Sequence, residues 1–185
     1  PAGGFRPRCG LVVLENTHNF HGGAVVKLDP LRRIHAVAKE RGAAVHLDGA
    51  RLWNAAVASN TPLAEYGAVA DSIMVCLSKG LGAPVGSLLA GDAAFVARAR
   101  EVRKLLGGGM RQVGVLAAPG LVALREGRAR LVEDHRRAQT LAMGLCEASR
   151  TSMPGGPPDT NIVIVRLEGV EPKAVCEGLG ALGVL

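Results

Sequence analysis

Residues 29–50, DPLRRIHAVAKERGAAVHLDGA, decide the fold class. Asp29 is placed to cap a helix and Pro30 to open it, because a proline in the first turn gives up only an amide that has no intrahelical partner. Leu31, Ile34 and Ala38 recur at three-to-four spacing, and Gly42 stops the pattern. Residues 43–47 then form a short apolar run of strand length that ends on an acid, Asp48. A capped helix feeding directly into an apolar strand is the repeating unit of an α/β fold.

The same alternation extends to both sides. Residues 11–14, 73–77 and 85–89 read as further strands. A short helix follows Asp48, Thr61-Pro62 opens another that ends at Gly67, and residues 92–106 are helical up to the Gly107–Gly109 run. Two more helices are predicted over 113–125 and 129–149. The segment MPGGPPDT is a loop, residues 162–167 a strand of a second small unit, and Pro172 opens a last helix. Chain order therefore predicts a parallel sheet with helical crossovers.

Composition sets limits on function. The chain has 185 residues, 48% of them apolar and 21% charged, which is enough to bury a core and excludes the disordered class. Its formal charge is +6, yet aromatics are only 3% and the basic residues alternate with acidic ones, so no nucleic-acid partner is expected. No apolar run approaches the roughly 18 residues of a membrane span, and PAGGFRPRCG lacks the apolar region of a signal peptide. A cytoplasmic protein with no membrane partner is the expectation. Cys9, Cys76, Cys146 and Cys176 have neither C-x-x-C spacing nor disulfide-scaffold density, which predicts reduced, mostly buried thiols. His18 with His21, or His46 beside Asp48, lack partners at tetrahedral spacing, so no metal is expected. Both termini look cut, since the alternation is already running at Leu11 and the last residues stop on an apolar stretch.

Asp48 and Lys79 each follow an apolar strand, and in an open parallel sheet ligands bind beyond the carboxyl ends of the strands. A lysine amine and a carboxylate in one crevice suit pyridoxal phosphate, which needs a Schiff base at one edge and a protonated ring nitrogen at the other. On spacing alone two plainer readings stay open: Asp48-Gly49 as an ordinary turn pair, and Ser78-Lys79-Gly80 as a solvated surface loop.

Four segments, LENTHN, HLDGARLWNAA, CLSKGLGAPVGSLLAG and RKLLGGGMRQVGVLAAPG, resemble in order and spacing those of the low-specificity L-threonine aldolases. These are pyridoxal-phosphate enzymes of the aspartate-aminotransferase fold, and DTNIVIV from Asp159 resembles the start of their small domain. The resemblance implies a three-layer α/β fold with a parallel-rich sheet. Residues 1–127 would be part of the cofactor-binding large domain, 128–158 a connecting helix and linker, and 159–185 the start of a small C-terminal domain. By position, Lys79 resembles the Schiff-base lysine and Asp48 the partner of the pyridine nitrogen. Arg51 matches the arginine for the phenolic oxygen or the substrate carboxylate, and Ser78 a phosphate contact. Lys104 and Arg111 are implied to line the substrate site, partly across a subunit boundary, with His18 and Asn16 at its edge and His18 or a water as base. The ring-stacking histidine and the late arginine of the family have no counterpart here, so weak cofactor binding is expected of these residues alone. The implied reaction is retro-aldol cleavage of a β-hydroxy-α-amino acid, threonine giving glycine and acetaldehyde, by a homodimer or homotetramer. Another enzyme of the same fold type, a transaminase or β-eliminating lyase, and a non-catalytic remnant are the alternatives.

Overall fold

The computed structural model describes residues 7–184. Strand β1 (Leu11–Glu15) leads through a 3-10 turn at Asn19–His21 to helix α1 (Leu28–Glu40), strand β2 (Ala44–Gly49), helices α2 (Leu52–Ala58) and α3 (Leu63–Gly67), and strand β3 (Ser72–Cys76). Strand β4 (Ser87–Gly91), helix α4 (Ala93–Leu105), helix α5 (Gly114–Val122), a π-helical turn at Ala123–Gly127 and the long helix α6 (Arg128–Glu147) follow. A small sheet of β5 (Thr151–Ser152) and β6 (Arg166–Leu167) and helix α7 (Pro172–Ala181) complete the described elements.

The main sheet has the order β1-β2-β3-β4. Strands β1, β2 and β3 are parallel, with Glu15 opposite Asp48 and Asp48 opposite Met74. Strand β4 runs antiparallel to β3, Cys76 facing Ser87, which corrects the expectation of parallel pairing for this strand. The reason is length: residues 77–86 are fewer than the dozen or so that a parallel crossover requires, so the chain turns back.

Period-two alternation sorts the strands into two faces. Leu47 is buried with Leu31 of α1 and with Leu52, Ala55 and Ala56 of α2, Tyr66 of α3 closes the same core, and Val45 is buried with Ala38 and Ala43. On the other face Leu11 and Val13 are 54% and 59% exposed. A second cluster joins Leu77, Leu81 and Ala83 of the loop after β3 to Ala123 and Leu131. Gly127 makes that approach possible, since a Cβ there would lie 2.5 Å from the Leu81 carbonyl oxygen.

Other expectations are corrected in detail. Helix α1 begins at Leu28, so Asp29 lies inside the first turn and bonds Arg32 at 3.1 Å instead of capping. The helices predicted over 113–125 and 129–149 are joined by the π-helical turn, because no proline or free loop separates them. Of the strand predicted over 162–167 only Arg166–Leu167 pairs, because the residues before it are held elsewhere. Thr160 bonds the Gly23 carbonyl, and Ile162 packs where a Gly23 Cβ would lie, at 3.3 Å. All four cysteines are free, but Cys9, Cys146 and Cys176 are exposed, against the expectation of buried thiols; Cys146 and Cys176 lie at outward positions of α6 and α7.

Candidate active site

The carboxyl edge of the parallel strands carries the polar cluster. Asp48 stands near the end of β2, and its Oδ1 accepts the Ala50 amide at 3.0 Å, which closes the turn into α2 and uses one carboxylate oxygen. Arg51, at the head of that helix, donates from Nη1 to Asn19 Oδ1 at 2.8 Å. Its Nε is buried without a hydrogen-bond partner, as is Thr17 Oγ1. Buried polar atoms are rarely left unpaired, so the Arg51 Nε marks a place where a ligand would complete the bonding.

Chain β1 continues past Glu15 into Asn16, whose amide donates to the Asp48 carbonyl at 2.9 Å. The Asn16 side chain bonds Val26 both ways, accepting its amide at 3.1 Å and donating to its carbonyl at 3.0 Å. Asn16 therefore braces the loop 18–26. His18 on that loop places Nε2 3.6 Å from Glu15 Oε2 and Nδ1 2.8 Å from His21 Nδ1. Glu15 also accepts the Asn19 amide at 3.0 Å. Glu15, His18 and Asp48 together line a cleft of about 500 Å³.

Lys79 and Ser78 occupy the loop after β3, the strand next to Asp48, and both side chains are exposed. Ser78 Oγ lies 3.2 Å from Cys76 Sγ. Leu77 and Leu81, buried on either side, anchor this loop, and the Gly82 amide bonds back to the Lys79 carbonyl at 2.9 Å. Strands β2 and β3 pair in parallel, so the Asp48 turn and the Lys79 loop leave the same edge of the sheet. The structure thus gathers Asp48, Arg51, Asn16 and His18 around one edge, with Lys79 and Ser78 in the loop that follows the adjoining strand. It does not bring Lys104 or Arg111 to them: Lys104 is exposed in the last turn of α4 and Arg111 in the turn before α5, and Lys104 Cδ packs 3.3 Å from the position of a Gly109 Cβ.

Glu15, Asn19, Asn54 and His135 were not singled out from the sequence, and His21 was weighed only as a metal ligand. Glu15 stands within the LENTHN segment, but only the β1-β2 register shows it level with Asp48. Asn54 and His135 had no signal, because their meeting at 3.0 Å depends on α6 folding over α2. Among the described residues no group of three or more His, Cys, Asp or Glu side chains is arranged to hold a metal ion. No described helix is long and apolar enough to cross a membrane.

The donor set fits pyridoxal phosphate: an amine for its aldehyde carbon, a carboxylate for its ring nitrogen, a hydroxyl for its phosphate, and a guanidinium with a buried, unpartnered Nε. Comparison with known proteins agrees. A low-specificity L-threonine aldolase of Arabidopsis thaliana is 44% identical over 164 residues, covering 89% of this chain and 46% of its own length. A putative aromatic amino acid beta-eliminating lyase/threonine aldolase from Exiguobacterium sp. 255-15 shares the fold with a TM-score of 0.79 and 27% identity, over 85% of this chain and 44% of that one. A PLP-dependent aminotransferase from Streptococcus suis covers 98% of this chain and 49% of its own at a TM-score of 0.70 and 21% identity, a likeness of fold. The chain spans about half the length of the curated relatives it matches. Family and fold together imply pyridoxal phosphate as the cofactor. Residues 1–169 match the profile of the beta-eliminating lyases, and the chain belongs to that family.

Proposed function

We propose that the protein to which this chain belongs cleaves threonine or allo-threonine to glycine and acetaldehyde with pyridoxal phosphate. The observation that carries the reading is that Asp48, near the carboxyl end of β2, and Lys79, in the loop after β3, follow two adjacent parallel strands, with Arg51 Nε buried and unpartnered at the head of α2. Lys79 would hold the cofactor's aldehyde carbon through Nζ, Asp48 would keep the ring nitrogen protonated, and Ser78 Oγ would bond the phosphate. Bound there, pyridoxal phosphate supplies an electron sink for negative charge at the substrate Cα.

The chain's own residues do the rest. Arg51 pairs with the substrate carboxylate, a planar fork that fixes the amino acid's orientation and so selects which Cα bond breaks. His18 takes the β-hydroxyl proton at Nε2, the atom that lies 3.6 Å from Glu15 Oε2. Asn16 and Asn19 keep the His18 loop and Arg51 in register through the bonds already described.

Lys104 and Arg111 belong to the reading as contributors across a subunit boundary. In its support, the segment that carries them is apolar at the surface, with Leu105, Leu106 and Val115 exposed by 78%, 82% and 69%, as suits a homodimer or homotetramer. The division at residues 127 and 158 into large domain, connector and small domain is part of the same proposal. A cytoplasmic location suits four free thiols.

The test uses the full-length protein. A visible Schiff-base band that disappears in Lys79→Ala, with glycine and acetaldehyde formed from threonine, supports the reading. Keto-acid formation in their place, or failure to take up the cofactor, overturns it.

A further inference from the structure

Asn54 faces the inner side of α2 and is 1% exposed. Both hydrogens of its amide nitrogen are engaged: Nδ2 lies 3.0 Å from His135 Nε2 on α6 and 3.2 Å from Asn161 Oδ1 in the segment before β6. His135 is 7% exposed, and burial, outweighing the attraction of Asp134, holds its imidazole below the ordinary value. The neutral ring can therefore accept at Nε2, which puts its proton on Nδ1.

With Nδ2 so committed, the amide oxygen points to the loop after β3. A Cβ on Gly80 would lie 3.1 Å from Asn54 Oδ1 and 2.7 Å from Leu131 Cδ2, so the residue next to Lys79 lies so close to this amide and to α6 that no side chain fits between them. The residues beside Asn161 grip the opposite loop of the site. Thr160 Oγ1 donates to the Gly23 carbonyl at 2.8 Å, and Asp159 Oδ2 accepts the Val25 amide at 3.0 Å.

We propose that Asn54 is a positioning residue, whose amide, held by His135 and Asn161, seats the Gly80 backbone and thereby fixes where Lys79 presents its amine. The role rests on the reading of Lys79 as the Schiff-base lysine. It assigns a task to the DTN segment, residues 159–161, that the reaction itself does not use: it ties the chain beyond α6 to both loops of the site. The hub is sensitive because Asn54 and His135 are buried, so removing either leaves the other without its partner.

The test takes the full-length protein with and without cofactor and compares Asn54→Ala, His135→Phe and His135→Gln. Glutamine keeps an acceptor near the position of Nε2, whereas phenylalanine keeps only the ring. Asn54→Ala and His135→Phe are expected to speed amide exchange in residues 77–86 of the cofactor-free protein by roughly tenfold or more, with His135→Gln within about twofold of the parent. In the loaded protein the first two shift the pH at which the Lys79 Schiff-base band titrates, and the third does not. Val45→Ala, which weakens the main core, is the control and leaves exchange in 77–86 at the parent rate relative to the rest of the chain. Unchanged exchange in Asn54→Ala, or an equal local change in Val45→Ala, with the band intact, overturns the positioning role alone. A parent protein with no Lys79-dependent band overturns the assignment of Lys79 first and this role with it.

Discussion

At the amino end of the main sheet Asp71 accepts the Val45 amide at 2.8 Å, returns its own amide to the Val45 carbonyl at 2.8 Å, and pairs with Lys39 at 2.7 Å. His46 Nδ1 and Ser72 Oγ, level with each other on β2 and β3, meet at 2.8 Å. At the carboxyl end of the same strands Arg51 Nε and Thr17 Oγ1 are buried without partners, and Lys79 and Ser78 stand exposed on an anchored loop. One end has its polar groups satisfied from within, and the other holds groups ready for something to be bound. Satisfaction stabilises, whereas unpaired groups on a rigid frame are the ordinary condition of a binding site.

The sharpest way to break this contrast is Asp48→Asn in the full-length protein. The rate of threonine cleavage is expected to fall by roughly 10²–10³-fold, the scale seen when one preorganised electrostatic group is removed. The urea midpoint should barely move; a fall in stability proportionate to the lost rate would show that the carboxyl end is structural after all. The converse change is Asp71→Ala, which leaves the Val45 amide without its acceptor and is expected to cost about 1–3 kcal/mol in denaturant unfolding. Cofactor uptake by the folded fraction should be unaltered.

The same two ends should part in their response to acid. Asp71 titrates below its ordinary value of 3.8, chiefly through the hydrogen bond from Lys39 and then that from the Val45 amide. Its contribution is therefore complete above the unfolded value and lost as the pH falls through the folded one. Acid titration of the unfolding free energy in Asp71→Asn should lose that portion of the slope. His135, held below 6.5 by burial, acts in a milder range. The unfolded chain binds a proton there that the native chain refuses, so stability declines as the pH drops below about 6.5, and His135→Gln should flatten that decline. The smallest effect is expected at Val13 on the open face, where Val13→Ala should change stability by no more than about 0.5 kcal/mol. A larger loss would show that this face is packed in solution.

Much of the frame is legible in the residues. The run 43–47 and the acid after it, the helix stopped by Gly42, and the Asp92 cap that accepts the Phe95 amide at 2.7 Å all follow from local rules. So do α3 after Pro62 and α7 opened by Pro172. The misreadings share a cause. Strand β4 has the composition of any other strand, and only the short connection at 77–86 decides that it turns back. Residues 162–165 are β-branched and apolar, as a strand should be, yet they are claimed by packing against Gly22 and Gly23. The helix start at Leu28 differs because Asp29 finds Arg32 one turn on. At the site, Lys79, Asp48, Arg51 and His18 were recognisable by segment, whereas Glu15 needed the β1-β2 register and Asn54 needed a helix from far along the chain.

By itself the sequence determined the kinds of elements, their order, and the two strand ends on which an acid and an amine are mounted, because periodicity, caps and turn residues act within a few residues of themselves. Only the tertiary structure decided the direction of β4, which polar atoms remain unpaired, and that Asn54, His135 and Asn161 converge beneath the lysine loop. Those outcomes depend on groups distant in the chain competing for the same space and the same hydrogen bonds, and that competition is resolved only when the chain has closed on itself.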